Sequence, residues 1–218
     1  MGYNIAIDGP AGAGKSTIAK LVAKELSFIY VDTGAMYRGM AYACLKAGVD
    51  VEDEEAVSKK CQESTIEICY EEGEQIVLLN GENVNGYIRT PEVSAATSKI
   101  AVYSGVRARL LDLQKDLAKK QDVVMDGRDI GTIVLPQADL KIFLTASSAE
   151  RARRRTKELL EKGQEADFEQ IKKEIEERDQ RDSNRKVSPL KQAEDAIFLD
   201  SSDLTIMEVV EKILSLKK

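Results

Sequence analysis

The segment Gly9-Pro10-Ala11-Gly12-Ala13-Gly14-Lys15-Ser16 brings three glycines, an ammonium group and a hydroxyl into eight consecutive residues. Glycines let backbone N–H groups curl around an anion, because no side chain stands in the way. A helix that starts where the loop ends adds its partial positive charge. The lysine can then bridge the terminal phosphates of a nucleoside triphosphate, and the hydroxyl can reach a metal ion bound with them. The spacing is that of the phosphate-binding loop, G-x-x-x-x-G-K-[ST], and its context is right: an apolar strand pattern precedes it and a helical pattern follows. It implies ATP as co-substrate with Mg²⁺. The candidate ATP-binding residues are Gly9, Pro10, Ala11, Gly12, Ala13, Gly14, Lys15, Ser16 and Thr17, with Lys15 as a catalytic cation and Ser16 as a metal ligand. Such a loop alone does not separate a phosphotransferase from an ATP-driven switch or motor.

Three further groupings narrow the chemistry. Asp32-Thr33-Gly34-Ala35-Met36-Tyr37-Arg38 sets a hydroxyl at a helix start and an arginine about one turn in, a second anion site. Asp126-Gly127-Arg128-Asp129 follows an apolar strand. There Asp126 suits a metal-bound water, and Arg128 falls at the strand edge where open α/β sheets bind ligands. Arg151, Arg154 and Arg155 share a helical face at spacings of three and four, and Arg178, Arg181, Asp182 and Arg185 form a second helical set. Taken alone, either set reads as a solvated charged face. Beside two phosphate sites they predict an arginine-rich lid, with Arg154 and Arg155 as catalytic cations and Arg151 on ATP.

Five short apolar runs are expected to carry these groups as strands: Tyr3–Ile7, Phe28–Asp32, Val123–Met125, Lys141–Leu144 and Ala196–Leu199. Helical patterns alternate with them, with starts expected at Thr33, Ser148 and Asp203. The alternation predicts a parallel sheet covered by helices on both faces. Thr65–Tyr70 and Gln75–Leu79 break the rhythm. With turns at Glu72-Gly73-Glu74 and Asn80-Gly81 they predict a small antiparallel insert between Glu63 and Arg89. Lys157–Glu177 reads as a solvated helical pair broken near Gly163.

Composition removes other chemistries. The chain has 218 residues, 43% of them hydrophobic, and a formal net charge of −6, which disfavours general nucleic-acid binding. It contains no histidine, so histidine-based triads and metal sites are excluded. Cys44, Cys61 and Cys69 fit no metal-ligand spacing and read as thiols of a cytosolic protein. No apolar run is long enough to span a bilayer, and no secretory signal opens the sequence.

Four segments together resemble the bacterial cytidylate kinases among the P-loop nucleoside monophosphate kinases. They are Ile5 to Lys15, Asp32 to Arg38, Asp126 to Thr132 and Glu177 to Arg185, within a likeness running from Asn4 to about Ile213. The resemblance implies an α/β fold of P-loop NTPase type: five parallel strands in the order 2-3-1-4-5, flanked by helices. A small antiparallel β insert lies in the acceptor-binding region, and the arginine-rich helices form a lid. It implies a single kinase domain, residues 1–218, with core 1–62, 90–150 and 186–218, insert 63–89 and lid 151–185. The implied reaction moves the γ-phosphoryl group of ATP to CMP, and to dCMP. Thr33, Arg38, Arg128 and Arg185 would hold the acceptor phosphate, Arg128 and Arg185 also serving catalysis. Ser98, Arg107 and Asp129 would read cytosine, Arg178 and Asp182 would bind the sugar, and Asp126 would join Ser16 at the metal. A cytoplasmic monomer is expected, with small-molecule substrates and neither nucleic acid nor membrane as partner. Two alternatives stay open on the residues alone: a kinase for another small acceptor such as UMP, and an ATP-dependent regulatory switch.

Overall fold

The computed structural model describes residues 2–217. From the N-terminus the elements are β1 (Asn4–Asp8), α1 (Lys15–Leu26), β2 (Ile29–Asp32), α2 (Thr33–Lys46) and α3 (Glu54–Glu63). Then come β3 (Ile66–Glu71), β4 (Glu74–Leu79), β5 (Glu82–Asn83), α4 (Pro91–Ile100) and α5 (Ser104–Lys120). The last are β6 (Val123–Gly127), a π-helical turn (Ile130–Val134), β7 (Leu140–Thr145), α6 (Ser148–Glu161), α7 (Phe168–Ser183), β8 (Ile197–Asp200) and α8 (Ile206–Leu216). The chain forms two compact units: Met1–Tyr30 with Gln121–Lys218, and Val31–Lys120.

The parallel sheet has the order β2-β6-β1-β7-β8, which in chain order of its strands is the 2-3-1-4-5 implied by the resemblance. All five expected strands are present, each within about two residues of its expected bounds. The sheet's central strand, β1, pairs in parallel with β6 and β7 and ends with Asp8 beside Gly127 and Phe143. Ile5, Ile7, Val124, Ile142 and Leu144 pack with Ile18 and Val22 of α1 and Val209 and Ile213 of α8, all buried. Apolar side chains buried on both faces of β1 explain its unbroken Ile-Ala-Ile run and hold the loop after it on a rigid base.

In the second unit β3, β4 and β5 form the antiparallel insert. Both predicted turns are there: Glu72-Gly73 and Asn80-Gly81 each put two successive residues at positive φ, the geometry of a tight two-residue hairpin. The two-residue β5 is an addition to the expected hairpin.

Side chains cap six helices at the N-terminus: Asp32, Asp53, Thr90, Ser147, Asp167 and Thr205 each accept a backbone N–H. Of the three expected starts one shifts. Helix α6 starts at Ser148 as expected, with Ser147 as its cap, while α8 starts at Ile206 rather than Asp203. The cause at α8 is a reciprocal capping box, in which Thr205 and Glu208 satisfy each other's backbone amides. The lid pair breaks where expected, at Gly163 with φ +71°. Among the described residues no helix is long and apolar enough to cross a membrane.

Candidate active site

Helix α1 departs from this capping pattern. Its cap is Gly14, in the left-handed region at φ 85°, with no side chain taking up the first amides. Those donors and the positive end of the helix therefore face the phosphate-binding loop unspent. At the loop's other end Gly9 is obligatory: a Cβ there would lie 1.9 Å from the carbonyl oxygen of Leu144. Lys15 is buried, and its ammonium donates to the carbonyl of Pro10 at 2.6 Å. Burial pulls its pKa well below the ordinary lysine value; Arg128 and Arg178 act in the same direction, against Asp126 and Asp8. A buried ammonium with so little solvation gains when an incoming polyphosphate supplies negative charge beside it.

Ser16 and Asp126, both expected at the metal, are brought together. The Ser16 hydroxyl donates to Oδ2 of Asp126 at 2.9 Å, and the Tyr30 hydroxyl donates to Oδ1 at 2.9 Å. A hydroxyl beside a carboxylate is a hard oxygen donor set of the kind Mg²⁺ takes when phosphate oxygens complete its shell. No cluster of three or more potential metal-ligating side chains occurs among the described residues, so any such ion would depend on its nucleotide for ligands.

Arg128, Asp182 and Arg185 converge. Arg128 Nε donates to Asp182 Oδ2 at 3.0 Å, and Arg185 lies 3.3 Å from Asp182 Oδ1 while its Nε donates to the Asp182 carbonyl at 3.1 Å. Burial pushes the Asp182 carboxyl up, but Arg128, Arg185 and Arg178 together hold it below its ordinary value. One buried carboxylate thus lies in the field of three guanidiniums, groups whose planar fork suits a phosphate.

The α6 arginines do not act as one face. Arg151 is buried and donates to the carbonyls of Ala146 and Ala11, each at 2.9 Å, and to both oxygens of Asp179 at 3.0 and 2.5 Å. It straps the phosphate loop to α7. Arg154 is half-buried, reaches the Ser201 carbonyl at 2.7 Å, and has a guanidinium nitrogen 4.0 Å from where a Cβ on Gly14 would be. Arg155 is exposed and pairs with Glu158 along the helix at 2.8 Å. Arg153, also exposed, pairs with Glu150. Spacings of three and four left the azimuth of each side chain undecided, and burial against the loop decides it.

In the second unit Thr33 is buried at the start of α2. Arg38 donates to Asp32 Oδ2 at 2.7 Å, and Arg89 approaches the same oxygen at 3.2 Å. Gln75 of the insert exchanges hydrogen bonds with the Asp32 backbone at 2.8 and 3.2 Å, fixing the start of α2. Ser98 lies half-buried on α4. Arg107 donates to the Ala101 carbonyl at 3.0 Å and stacks 5.7 Å above the Tyr37 ring.

Sequence reasoning gave no role to Asp8, Arg89 or Asp179. Asp8 had a visible signal, an acid at a strand end directly before the loop, but its partners lie more than 120 residues away. It is buried and accepts the amides of Ile130 and Gly131 at 2.8 and 2.7 Å. Its pKa is raised to about 6, mainly by burial, with Asp129 adding and the two amides and Lys15 opposing.

Comparison with known proteins agrees with this geometry. The family model described as cytidylate kinase matches residues 5–218. A cytidylate kinase of Bacillus cereus (strain G9842) is 54% identical over 213 residues, covering 98% of this chain and 95% of the relative. Among solved structures, a gluconokinase from Sinorhizobium meliloti 1021 aligns with a TM-score of 0.50 at 13% identity, over 98% of this chain and 90% of its own. An uncharacterized protein from Eubacterium ventriosum ATCC 27560 gives 0.54 at 11%, over 98% and 96%. At those identities the two structures speak to the fold alone. A match across nearly the whole sequence, phosphate loop and arginine cluster included, carries the assignment: this chain belongs to the cytidylate kinase family.

Proposed function

We propose that the protein transfers the γ-phosphoryl group of ATP to CMP, and to dCMP, releasing ADP and the nucleoside diphosphate. The observation that carries the reading lies within the first unit. A buried lysine on an uncapped helix start, a hydroxyl–carboxylate pair, and Arg128 and Arg185 gathered on the buried Asp182 are all found there. The acceptor phosphate is already anionic, so transfer needs no general base, in keeping with a chain that has no histidine.

In this reading the amides of Gly9 to Thr17 and the Lys15 ammonium hold the β- and γ-phosphates of ATP. Ser16 and Asp126 hold Mg²⁺, which supplies charge neutralisation on the phosphate oxygens. Arg128 and Arg185 hold the acceptor phosphate and stabilise the charge that spreads over the moving phosphoryl group. Arg178 and Asp182 bind the sugar, and Asp129 accepts the 4-amino group of cytosine. In the second unit, Thr33 and Arg38 are assigned to the acceptor phosphate, and Ser98 and Arg107 to the base. Arg154 engages developing charge beside Gly14. Arg151 serves ATP indirectly, by bracing the loop through the Ala11 carbonyl. The division into core, insert (63–89) and lid (151–185) assigns the insert to the acceptor side and the lid to closure and water exclusion.

The test is ADP release from ATP over a panel of CMP, dCMP, UMP, AMP and GMP. Strong release with CMP and dCMP supports the reading. Hydrolysis unaffected by any acceptor contradicts it and favours a switch.

A further inference from the structure

We infer that Asp8, a residue outside the ATP and CMP contacts, is the positioning residue that sets Asp129 for base selection. Asp8 ends β1 opposite Gly127 of β6. Its carboxylate oxygens each accept one amide of the π-helical turn, Ile130 N–H at 2.8 Å on Oδ1 and Gly131 N–H at 2.7 Å on Oδ2. These are the first two amides of the turn, directly after the residue in its cap position. Asp129 occupies that cap position, and it makes no side-chain cap bond. Asp8 reaches across from another strand and takes both donors, which fixes the backbone immediately after Asp129 and so the place from which its side chain projects.

The fit is close on every side. Asp8 is 5% exposed. A Cβ on Gly131 would lie 3.4 Å from Asp8 Oδ2 and 3.1 Å from Lys141 Cδ, so the turn sits tightly against both side chains. Only a carboxylate offers two acceptors at this place. A carboxamide of the same size offers one acceptor and one N–H, which would face an amide N–H. One turn amide would lose its partner, and the turn with Asp129 would shift.

The inference rests on the reading of Asp129 as the residue that accepts from cytosine. The experiment is steady-state kinetics with CMP and UMP for wild type, Asp8→Asn, Asp8→Glu, Asp129→Asn and the Asp8→Asn/Asp129→Asn double variant, with thermal melts as a folding check. Displacement by about 1 Å can cost on the order of 100-fold in an oriented site. Asp8→Asn is therefore expected to raise the CMP KM about tenfold or more and lower the CMP-to-UMP ratio of kcat/KM by a similar factor. Asp8→Glu keeps the charge beside Lys15 and is expected to lower the ratio as well, which separates geometry from charge. The double variant should match Asp129→Asn alone in the ratio, because Asp8 acts through Asp129. A purely structural role would weaken CMP and UMP equally, and that result overturns the inference. If Asp129→Asn narrows the ratio but neither Asp8 variant does, only the inference about Asp8 falls. If Asp129→Asn itself leaves the ratio unchanged, the base-reading role falls and the Asp8 inference with it.

Discussion

Lys15 and Asp8 show how the same burial acts on groups of opposite charge. Burial disfavours the lysine's charged form, with Arg128 and Arg178 adding to it, while the ammonium keeps a single carbonyl partner, Pro10. Lys15→Ala is expected to lower kcat by about 10³ or more, since the lost charge is engaged as the phosphoryl group moves. Melting should be little changed, because this lysine is held in the loop and not by the apolar core. A folded Lys15→Ala protein with near-normal turnover would contradict the assignment. Asp8 is held at a cost: its folded pKa of about 6 stands above the ordinary 3.8. A raised pKa means that its contribution to stability is fully present below about 3.8 and is lost as pH climbs through 6. Relative to Asp8→Asn, wild type should therefore gain on the order of 1–3 kcal/mol as pH falls from about 7 to about 4. Denaturant melts of both proteins at three pH values check this, and a constant difference would contradict it. Keeping a carboxylate ionised there at neutral pH trades stability for position, and the position is the one Asp129 needs.

At the level of elements, what could be read from the sequence divides by the range of the interaction involved. The five parallel strands, both hairpin turns and the break at Gly163 depend on local periodicity and on residues that accept positive φ, so the sequence announces them. The start of α8 is also a local signal, and Thr205 with Glu208 was the stronger cap than Asp203. Thr205→Ala should cost about 1 kcal/mol and lower Tm by about 2–4 °C, with kcat unchanged. Calorimetry beside the kinetic assay separates the two. The roles of the α6 arginines were not legible, because a spacing of three or four cannot tell which side chain meets the loop. All three pair with glutamates on their own helix, but Arg154 is the least exposed and also lies beside Gly14 and donates to the Ser201 carbonyl. Arg154→Ala is accordingly expected to lower kcat by at least about tenfold, and Arg153→Ala and Arg155→Ala by less than about twofold. Equal effects at Arg154 and Arg155 would show that lid closure reorients Arg155 toward substrate. Asp8 was hidden for the reason the bracing contacts of Arg151 were: its partners come from elements distant in sequence, here the turn after β6.

For the whole molecule, family, fold and reaction agree on a phosphotransferase that works by placement and charge. The choice of acceptor is the part of the account most open to direct measurement. Cytosine offers a 4-amino donor and an N3 acceptor, whereas uracil offers a carbonyl and an N–H at those places. Asp129 can only accept, so it matches cytosine and opposes uracil. A buried mismatch of this kind can reject an analogue by up to roughly 10⁴. The decisive measurement is the ratio of kcat/KM for CMP to that for UMP, in wild type and in Asp129→Asn, with ATP saturating. The account predicts a wild-type ratio well above tenfold that Asp129→Asn narrows, chiefly through weaker use of CMP. A wild-type ratio within about tenfold of unity, or one that Asp129→Asn leaves unchanged, would contradict it.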